Sequence, residues 1–459
     1  MRYWPTLVMV LVLAGLGLYL YAVELPQKES QERQDTTDKK VLLFHQDTLS
    51  GLTIKTDRHE LVFARVPEKG WVLTAPLSTE ADQREVQNLI RALVTGTVAR
   101  VVEDHPTNLT PFGLENPVTT ISVLAGTARE TFSIGDSGPL SSTLYVLRES
   151  DRKVLLTNLA PKDFVNKTVM TFRRKDILHM AQGDVERIRL TYPTTEIVLY
   201  QGAEKPKSKW KLRYPIEGEA DQTEVRALLF RLEDLKAQGI VDPGPERDAL
   251  AKTLTAPKVK IVIHTTDGDQ TVKLYQPDET SGTAIAETSA DGPLYRIPST
   301  TIKDLTKELF TFQDKRLLGI DYTDIAMLSV KTPAEQYVLI NQQNEWVLED
   351  QPAEKLDQQT ADLFVSRVAN VPAEERVIKQ AGPLAPYGLV APAAEFIATG
   401  RDGKIAGKLS IGSHANGLAY AMGQRIQGVF QIRADLLLTQ IPTKHDLLAA
   451  KTEKTPSSH

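Results

Sequence analysis

The phrase WVLTAP at residues 71–76 opens a pattern that returns twice in the same chain. It returns as WKLRYP at residues 210–215 and as WVLEDQP at residues 346–352, and an aspartate stands eleven positions after each tryptophan. The tryptophans are Trp71, Trp210 and Trp346, and the aspartates are Asp82, Asp221 and Asp357. The tryptophans are 139 and then 136 residues apart. Solenoid repeats are roughly 20–50 residues long, so each of these copies is long enough to hold its own core.

An apolar stripe of helical spacing follows each aspartate. Apolar residues recur at i, i+3, i+4 and i+7, which places them on one face of a helix. They are Val86, Leu89, Ile90 and Leu93, then Val225, Leu228, Leu229 and Leu232, then Ala361, Phe364, Val365 and Val368. An aspartate before a helix accepts hydrogen bonds from free backbone N–H groups, and Asp82 with Glu85 has capping-box spacing, as does Asp221 with Glu224. We therefore predict helix caps rather than a shared acid or metal ligand.

Short strand-like runs complete each copy. Turn phrases precede them, PFGLENP at residues 111–117 and PYGLVAP at 386–392, with only a degraded LTAP at 254–257 in the second copy. The runs lie at residues 121–124 and 130–134, 260–264 and 271–275, and 395–398 and 404–411, with further strands near 144–147, 294–297 and 429–432. A short helix is expected to close each copy. The pattern predicts an α+β fold of antiparallel meanders, each sheet backed by one helix.

The recurring tryptophans and prolines are interpreted as structural repeat positions. Trp71, Trp210 and Trp346 are expected on strands that face the recurring helix, as core residues, with ligand stacking as the alternative. The prolines that end the opening phrases are Pro76, Pro215 and Pro352.

A closing phrase marks the end of the first two copies. It is FRRKDIL at residues 172–178 and FQDKRLL at 312–318, and the third copy lacks it. The phrase either bridges successive copies or caps each one. Its basic clusters, at residues 173–175 and 315–316, are predicted to be solvated, with anionic lipid contact as a minor option. The predicted domains are an N-terminal tail and transmembrane anchor at 1–23, a polar linker at 24–40, repeat modules at 41–178, 179–318 and 319–450, and a polar tail at 451–459.

The first segment has the character of a membrane anchor. Residues 6–23 carry no charge, and as a helix they span about 27 Å, close to the thickness of a bilayer core. Arg2 precedes the segment, so the positive-inside rule places the body outside the cytoplasm. The alternative is a signal peptide cleaved after Ala22, but Leu20 stands where a small residue is preferred.

Composition and motifs limit the chemistry. The 459 residues include no cysteine, which excludes disulfides, thiolate catalysis and cysteine-bound metals, and the net charge of −5 gives no reason to expect nucleic-acid binding. The sequence GDSGP at residues 135–139 is predicted to be a turn, because no histidine and aspartate motifs accompany it. His414 is predicted in a surface loop, and Asp267-Gly268-Asp269 in a hairpin turn. No catalytic, cofactor or metal site is predicted.

The anchor, the W-x-L…P…AD phrase, the following helix, the Y/F-G-L-x-x-P turn and the closing phrase together resemble the bacterial domain-of-unknown-function family numbered 4340. The resemblance covers nearly all residues after 40. It implies an envelope protein, of a kind often encoded beside an ABC-type transporter of the gliding-motility-associated class.

We therefore expect a single-pass protein of the bacterial inner membrane, with its body in the periplasm or outside. It would act as a non-enzymatic accessory or scaffold protein, an auxiliary subunit of an ABC-type transport system being one form of that role. One alternative is a module that binds an envelope polymer, glycan or lipid. A second alternative is a hydrolase with an unrecognised site.

Overall fold

The computed structural model describes Met9 and residues 39–140, 142–160, 164, 166–201, 208–378 and 382–448. These residues form three sheets of antiparallel strands with helices packed against them, so the predicted α+β class is confirmed. The predicted anchor at residues 6–23 lies outside the described residues, except for Met9. Within the described part of the chain, no helix is both long enough and apolar enough to cross a membrane.

The first copy forms a nine-stranded sheet in the order β4-β3-β2-β1-β6-β7-β8-β9-β5. Its helix connects the two edge strands β4 and β5. Its elements are β1 (Gly51–Thr56), β2 (Glu60–Val66), β3 (Gly70–Ala75), β4 (Thr79–Glu80), α1 (Gln83–Thr95), β5 (Val98–Asp104), β6 (Thr119–Ala125), β7 (Ala128–Ser137), β8 (Leu144–Arg148), β9 (Lys153–Thr157) and α2 (Val169–Phe172).

The second copy repeats this order of elements and adds helices. Its elements are β10 (Val185–Thr191), β11 (Glu196–Gln201), β12 (Trp210–Tyr214), β13 (Gly218–Glu219), α3 (Gln222–Glu233), β14 (Gly239–Val241), α4 (Pro245–Ala251), β15 (Val259–Thr265), β16 (Gly268–Tyr275), β17 (Thr283–Glu287), β18 (Leu294–Pro298), α5 (Thr300–Leu305) and α6 (Leu309–Phe312). One set of strands pairs in the order β13-β12-β11-β10-β15-β16, and another in the order β17-β18-β14.

The third copy forms an eight-stranded sheet in the order β21-β20-β19-β23-β24-β25-β26-β22. It follows the first copy except that the short strand equivalent to β4 is missing among its described residues. Its elements are β19 (Ile325–Lys331), β20 (Gln336–Gln342), β21 (Glu345–Leu348), α7 (Gln358–Asn370), β22 (Glu375–Ile378), β23 (Ala394–Gly400), β24 (Ile405–Ala415), β25 (Leu418–Gly423), β26 (Val429–Arg433) and α8 (Lys444–Leu447).

The described chain divides into two compact units. The first contains the residues up to His179 together with Asp234–Thr253 and Thr280–Pro298, and the second contains Met180–Glu233, Leu254–Glu279 and Ser299–His459. The second copy therefore contributes to both units, because β14, β17 and β18 belong to the first. The predicted module boundaries stay a prediction.

The long helix of each copy buries the apolar stripe that the sequence predicts. Helix α1 buries Val86, Leu89, Ile90 and Leu93, α3 buries Val225, Leu228, Leu229 and Leu232, and α7 buries Ala361, Phe364, Val365, Val368 and Ala369. Burying one such aliphatic side chain contributes about 1.5–3 kcal/mol. In the first and third copies these residues join a core with the inward side chains of the sheet. The predicted closing helices are also confirmed as α2, α6 and α8.

Two segments link successive copies by main-chain pairing. We call residues 172–178 the first linker and residues 312–318 the second linker. Each linker pairs through its first half with the copy before it and through its second half with the copy after it. The bonds of the first linker are Asp82 N–H to Phe172 O (2.7 Å), Arg174 N–H to Glu80 O (3.0 Å), Ile177 N–H to Leu235 O (3.0 Å) and Ala237 N–H to Lys175 O (2.8 Å). Those of the second linker are Asp221 N–H to Phe312 O (2.9 Å), Asp314 N–H to Glu219 O (3.1 Å), Leu317 N–H to Val371 O (3.2 Å) and Ala373 N–H to Lys315 O (2.9 Å).

Two further segments, residues 39–41 before the first copy and helix α8 in the third copy, supply half a linker each. At the start, Val98 N–H donates to Lys39 O (2.8 Å) and Val41 N–H donates to Gly96 O (3.2 Å), so residues 39–41 match the second half of a linker. At the end, Asp357 N–H donates to Leu447 O (2.8 Å), so α8 matches the first half. The closing phrase therefore both bridges and caps. Its second half begins the following copy, which explains why the last copy has no complete phrase.

Candidate functional site

The recurring aspartates cap the long helices, as the sequence predicts. One Oδ1 atom in each copy accepts hydrogen bonds from two backbone N–H groups of the first turn, which have no partner inside the helix. The donors are Arg84 (3.0 Å) and Glu85 (3.2 Å) to Asp82, Thr223 (3.0 Å) and Glu224 (3.1 Å) to Asp221, and Gln359 (3.1 Å) and Thr360 (3.4 Å) to Asp357.

The predicted capping boxes are wrong in their second half. A capping box needs the N3 side chain to accept from the N–H of the cap residue. The N–H of Asp82 instead donates to Phe172 O, and the N–H of Asp221 donates to Phe312 O. The linker thus occupies the donor that Glu85 or Glu224 would have used. Complete capping boxes occur at two of the closing helices, between Thr168 and Thr171 at α2 and between Thr443 and Asp446 at α8.

A glutamine beside each aspartate holds the tryptophan backbone, and the sequence interpretation missed it. The side-chain amide of Gln83 accepts from Trp71 N–H (2.8 Å) and donates to Trp71 O (2.7 Å). Gln222 does the same for Trp210 (2.9 and 2.9 Å), and Gln358 for Trp346 (2.7 and 2.9 Å). The amide thus bonds to both backbone polar groups of the tryptophan, as a residue of a neighbouring strand would. The signal was present, because each of the three aspartates is followed directly by glutamine.

The recurring tryptophans are buried in their copies. Trp71, Trp210 and Trp346 are 5%, 4% and 1% exposed and lie in β3, β12 and β21. Trp346 also donates from its indole Nε1 to Asp362 Oδ1 (2.8 Å). Pro76 and Pro215 follow cis peptide bonds, and Pro352 lies in a turn. A tryptophan-lined groove for a ligand is therefore not formed by these residues.

The first linker is surrounded by ion pairs in the first unit. Arg173 Nη2 lies 2.8 Å from Asp242 Oδ1, next to the end of β14. Arg174 Nη1 lies 2.6 Å from Glu80 Oε2 on β4, and Arg174 Nε lies 3.1 Å from Asp176 Oδ2 within the linker. The basic cluster was predicted to be solvated or lipid-facing. That prediction is wrong for Arg173, whose side chain is 11% exposed and bound to a carboxylate.

The second linker carries a denser charge network in the second unit. Arg316 binds Asp314 through Nε (2.9 Å) and Nη2 (2.6 Å) and binds Asp321 through Nη1 (2.5 Å). Arg425 Nη2 lies 3.5 Å from Asp314 Oδ2, and Lys209 Nζ lies 3.7 Å from Asp321 Oδ2. These groups join residues of the second and third copies through side chains as well as through the backbone.

The network shifts the ionisation of its carboxylates. Burial raises the pKa of Asp314, but the hydrogen bonds and charge of Arg316 outweigh it, and the net pKa lies below the ordinary value. The hydrogen bond from Arg316 lowers the pKa of Asp321. The bond to Asp314 in turn raises the pKa of Arg316. Each group is therefore stabilised in its charged form, which suits a structural lock rather than an acid or base that exchanges protons near neutral pH.

A polar cleft of about 710 Å³ lies along the second linker. Charged side chains of both signs line it, among them Lys209, Glu219, Lys315 and Glu374. Lys315 Nζ lies 3.0 Å from Asp221 Oδ2, so the cap of α3 is itself part of an ion pair at the cleft wall. Nowhere in the described ranges do three or more His, Asp or Glu side chains gather as a metal site would require.

In the first and third copies, the F/Y-G-L turn packs directly against a glycine of a neighbouring strand. Gly113 and Gly388 adopt positive φ (65° and 68°) and end the F/Y-G-L turns. A Cβ at Gly135 would lie 2.2 Å from Phe112 O, and one at Gly412 would lie 2.0 Å from Tyr387 O. The second copy has lost the turn phrase, and strand register places Tyr275 at the equivalent position. Gly135 of the GDSGP sequence thus serves backbone packing.

The turns also bring pairs of half-buried aromatic rings together. Phe112 lies 5.2 Å from Tyr145, and Tyr387 lies 5.0 Å from Tyr420, between ring centroids. Strand register places Ile285 where the other two copies have Tyr145 and Tyr420.

Two loop predictions need correction and one is confirmed. The predicted turn at residues 135–139 begins as strand, because β7 extends to Ser137. His414 lies in β24, exposed, rather than in a loop, because the hairpin turn is confined to the residues after Ala415. A hairpin turn joins β15 to β16 as predicted, but its residues are Thr266 and Asp267, because Gly268 and Asp269 already pair with β15 as part of β16.

The fold and junctions define an α+β protein built from three consecutive copies of one module. A family model, described as a domain of unknown function (DUF4340), matches residues 71–257 and 253–392. The chain belongs to this family, and the resemblance of its repeated phrases is confirmed. No curated protein matches the chain, and no solved structure matches it.

Proposed function

We propose that this chain is a membrane-anchored, extracytoplasmic accessory or scaffold protein without catalytic activity, acting as an auxiliary subunit of an ABC-type transport system. The observation that carries the proposal is the use of the repeated residues. Asp82, Gln83 and Trp71, with their counterparts in the other copies, serve a helix cap, a backbone clamp and the core. The repeated residues therefore maintain the fold of each copy. A protein built from such copies can present their surfaces to partner proteins, as an accessory protein does.

The junctions support the same role. Main-chain hydrogen bonds on both sides of each linker order it against the copies before and after it, where a flexible tether would leave them independent. A protein that positions several partners gains from ordered junctions, because less conformational freedom is lost on binding. The transporter part of the proposal rests on the family resemblance and on the apolar segment at residues 6–23.

Co-purification tests this proposal. The full-length protein is isolated from native membranes in mild detergent, and its partners are identified by mass spectrometry. We expect the membrane and ATPase subunits of a transporter in fixed ratio. A matched variant with residues 1–38 replaced by a cleavable export signal should leave the membrane fraction. Recovery of the protein alone, from extracts in which other envelope complexes stay intact, would contradict the accessory role.

Binding of an envelope glycan is the second candidate function, and the paired rings favour it. Phe112 with Tyr145 and Tyr387 with Tyr420 are half-buried at equivalent places, and aromatic faces stack on sugar rings. Titration with soluble fragments of the cell wall tests it, using Tyr420→Ala and, as control, Tyr214→Ala, an exposed tyrosine of the copy without a ring pair. Binding that is weakened by the first substitution alone would transfer the proposal to this function.

A further inference from the structure

The two linkers carry opposite charges at matching positions. Arg174 is equivalent to Asp314, because their N–H groups bind Glu80 O and Glu219 O in the same way. The isolated bridges from residue 176 to 236 and from 316 to 372 make Asp176 equivalent to Arg316. Each linker therefore has an ion pair between positions two residues apart, with reversed polarity.

The surroundings of the linkers differ as well, although the preceding copies present glutamates at equivalent positions, Glu80 and Glu219. In the first unit, Arg174 faces the carboxylate of Glu80 on β4 (2.6 Å). In the second unit, Asp314 faces the guanidinium of Arg425 (3.5 Å), and Arg316 faces the carboxylate of Asp321 (2.5 Å). The complementary charges of the second linker thus come from the third copy, whereas Arg174 of the first linker binds a carboxylate of the copy before it.

The preceding linker position follows the same rule. Backbone bridges to Ala81 and Ala220 make Arg173 equivalent to Gln313. Arg173 binds Asp242, whereas Gln313 Oε1 accepts from Arg376 Nη2 (2.7 Å). Arg376 also stacks on the ring of Phe310, 4.8 Å from its centroid. An arginine in place of Gln313 would bring two guanidinium groups together, so the first linker does not fit the second junction.

Main-chain pairing alone cannot distinguish these junctions, because N–H and C=O groups are the same in every copy. We propose that the linker charges make the pairing selective. Each linker packs stably only between its own two copies, so the repeats assemble in a single order. Discrimination of this kind needs repulsion in the wrong pairings as well as attraction in the right one. This inference concerns assembly of the chain and stands independently of the proposed function.

Reversing the polarity of the charges in one linker tests whether they make its pairing selective. The double variant Asp314→Arg/Arg316→Asp keeps the composition, the net charge and the ion pair inside the linker. It brings the new arginine to Arg425 and the new aspartate to Asp321. For like charges in a half-buried site we expect the unfolding equilibrium constant to rise about tenfold or more. Hydrogen–deuterium exchange in the full-length protein should become faster at residues 312–318 and 371–373 and stay unchanged at residues 51–66.

The chain offers a matched control and a rescue. Arg433 and Asp435 form an ion pair two residues apart at 2.6 Å, with side chains 54% and 57% exposed. Reversing that exposed pair should change the unfolding equilibrium constant far less than the linker reversal does, and should leave exchange at residues 312–318 unchanged. Adding Asp321→Arg and Arg425→Asp to the linker variant should restore most of the lost stability and protection. The proposal would be overturned if the linker reversal lowered the stability no more than the control reversal does. It would also be overturned if the compensating substitutions did not restore the lost stability and protection.

Discussion

Replacing Gln83 with alanine tests the clamp that holds each tryptophan strand against its helix. The amide of Gln83 makes three hydrogen bonds: it accepts from Trp71 N–H (2.8 Å) and donates to Trp71 O (2.7 Å) and to Ala81 O (3.0 Å). Alanine leaves all three backbone groups without this partner beside a tryptophan that is 5% exposed. At about 0.5–1.5 kcal/mol for each bond, we expect a loss of about 2–4 kcal/mol.

The same argument predicts how much stability each copy loses when its glutamine is replaced. Gln222 also makes three such bonds, including one to Ala220 O (2.8 Å), whereas the clamp of Gln358 on Trp346 consists of two. We therefore expect Gln222→Ala to match Gln83→Ala, and Gln358→Ala to cost less, about 1–3 kcal/mol.

Urea unfolding of the full-length protein measures these losses, with tryptophan fluorescence and hydrogen–deuterium exchange as readouts. Exchange at residues 70–75 is needed because a chain with two compact units need not unfold in one step. Gln87→Ala is the control, because Gln87 is exposed on the same helix and undergoes the same change of residue type. A Gln83→Ala loss within about 0.5 kcal/mol of the control would refute the clamp.

Three further predictions follow from the packing and the charges. Gly412→Ala should destabilise the third copy by more than 2 kcal/mol, because its Cβ would meet Tyr387 O at 2.0 Å, whereas Gly183→Ala, with open space around it, should be neutral in thermal unfolding. Because the pKa of Asp314 is lowered in the folded state, its contribution is present at neutral pH and is lost as the pH falls below about 4; Asp314→Asn should flatten the acid limb of a stability–pH profile. Deleting residues 443–459 removes fully buried Leu447 and the acceptor of Asp357 N–H, and should cost about 3–5 kcal/mol in urea unfolding of the third copy.

The sequence predicts those features of the fold that depend on the type and spacing of side chains. The stripe at Val86, Leu89, Ile90 and Leu93 determines the buried face of α1, because helical spacing leaves only one apolar side. Asp82 was predicted to be a cap for a similar reason, since its position directly before the stripe leaves it beside the free N–H groups of the first turn.

The same approach failed where the backbone carries the information. Residues 39–41 pair with Gly96 and Val98 as the second half of a linker, yet little in their side chains resembles residues 175–177 beyond a shared lysine and an apolar residue. Main-chain pairing needs only an extended segment of the right length, so it leaves a faint mark on the sequence. Gln83 was overlooked for a different reason: one polar residue gives no periodic signal, although its recurrence after every aspartate was visible.

The second copy shows why repeated features must be interpreted as pairs. It lacks both the F/Y-G-L turn and the strand glycine, and has Tyr275, which is 7% exposed, where the other copies have Gly135 and Gly412. A turn at that place and a side chain at that position compete for the same space, because the glycine Cβ would touch the turn carbonyl. Loss of one therefore permits loss of the other. The linker charges obey the same logic, since Asp314 and Arg316 are acceptable only where Arg425 and Asp321 face them. In both cases the copies differ at two contacting positions together, so that the contact between them remains favourable.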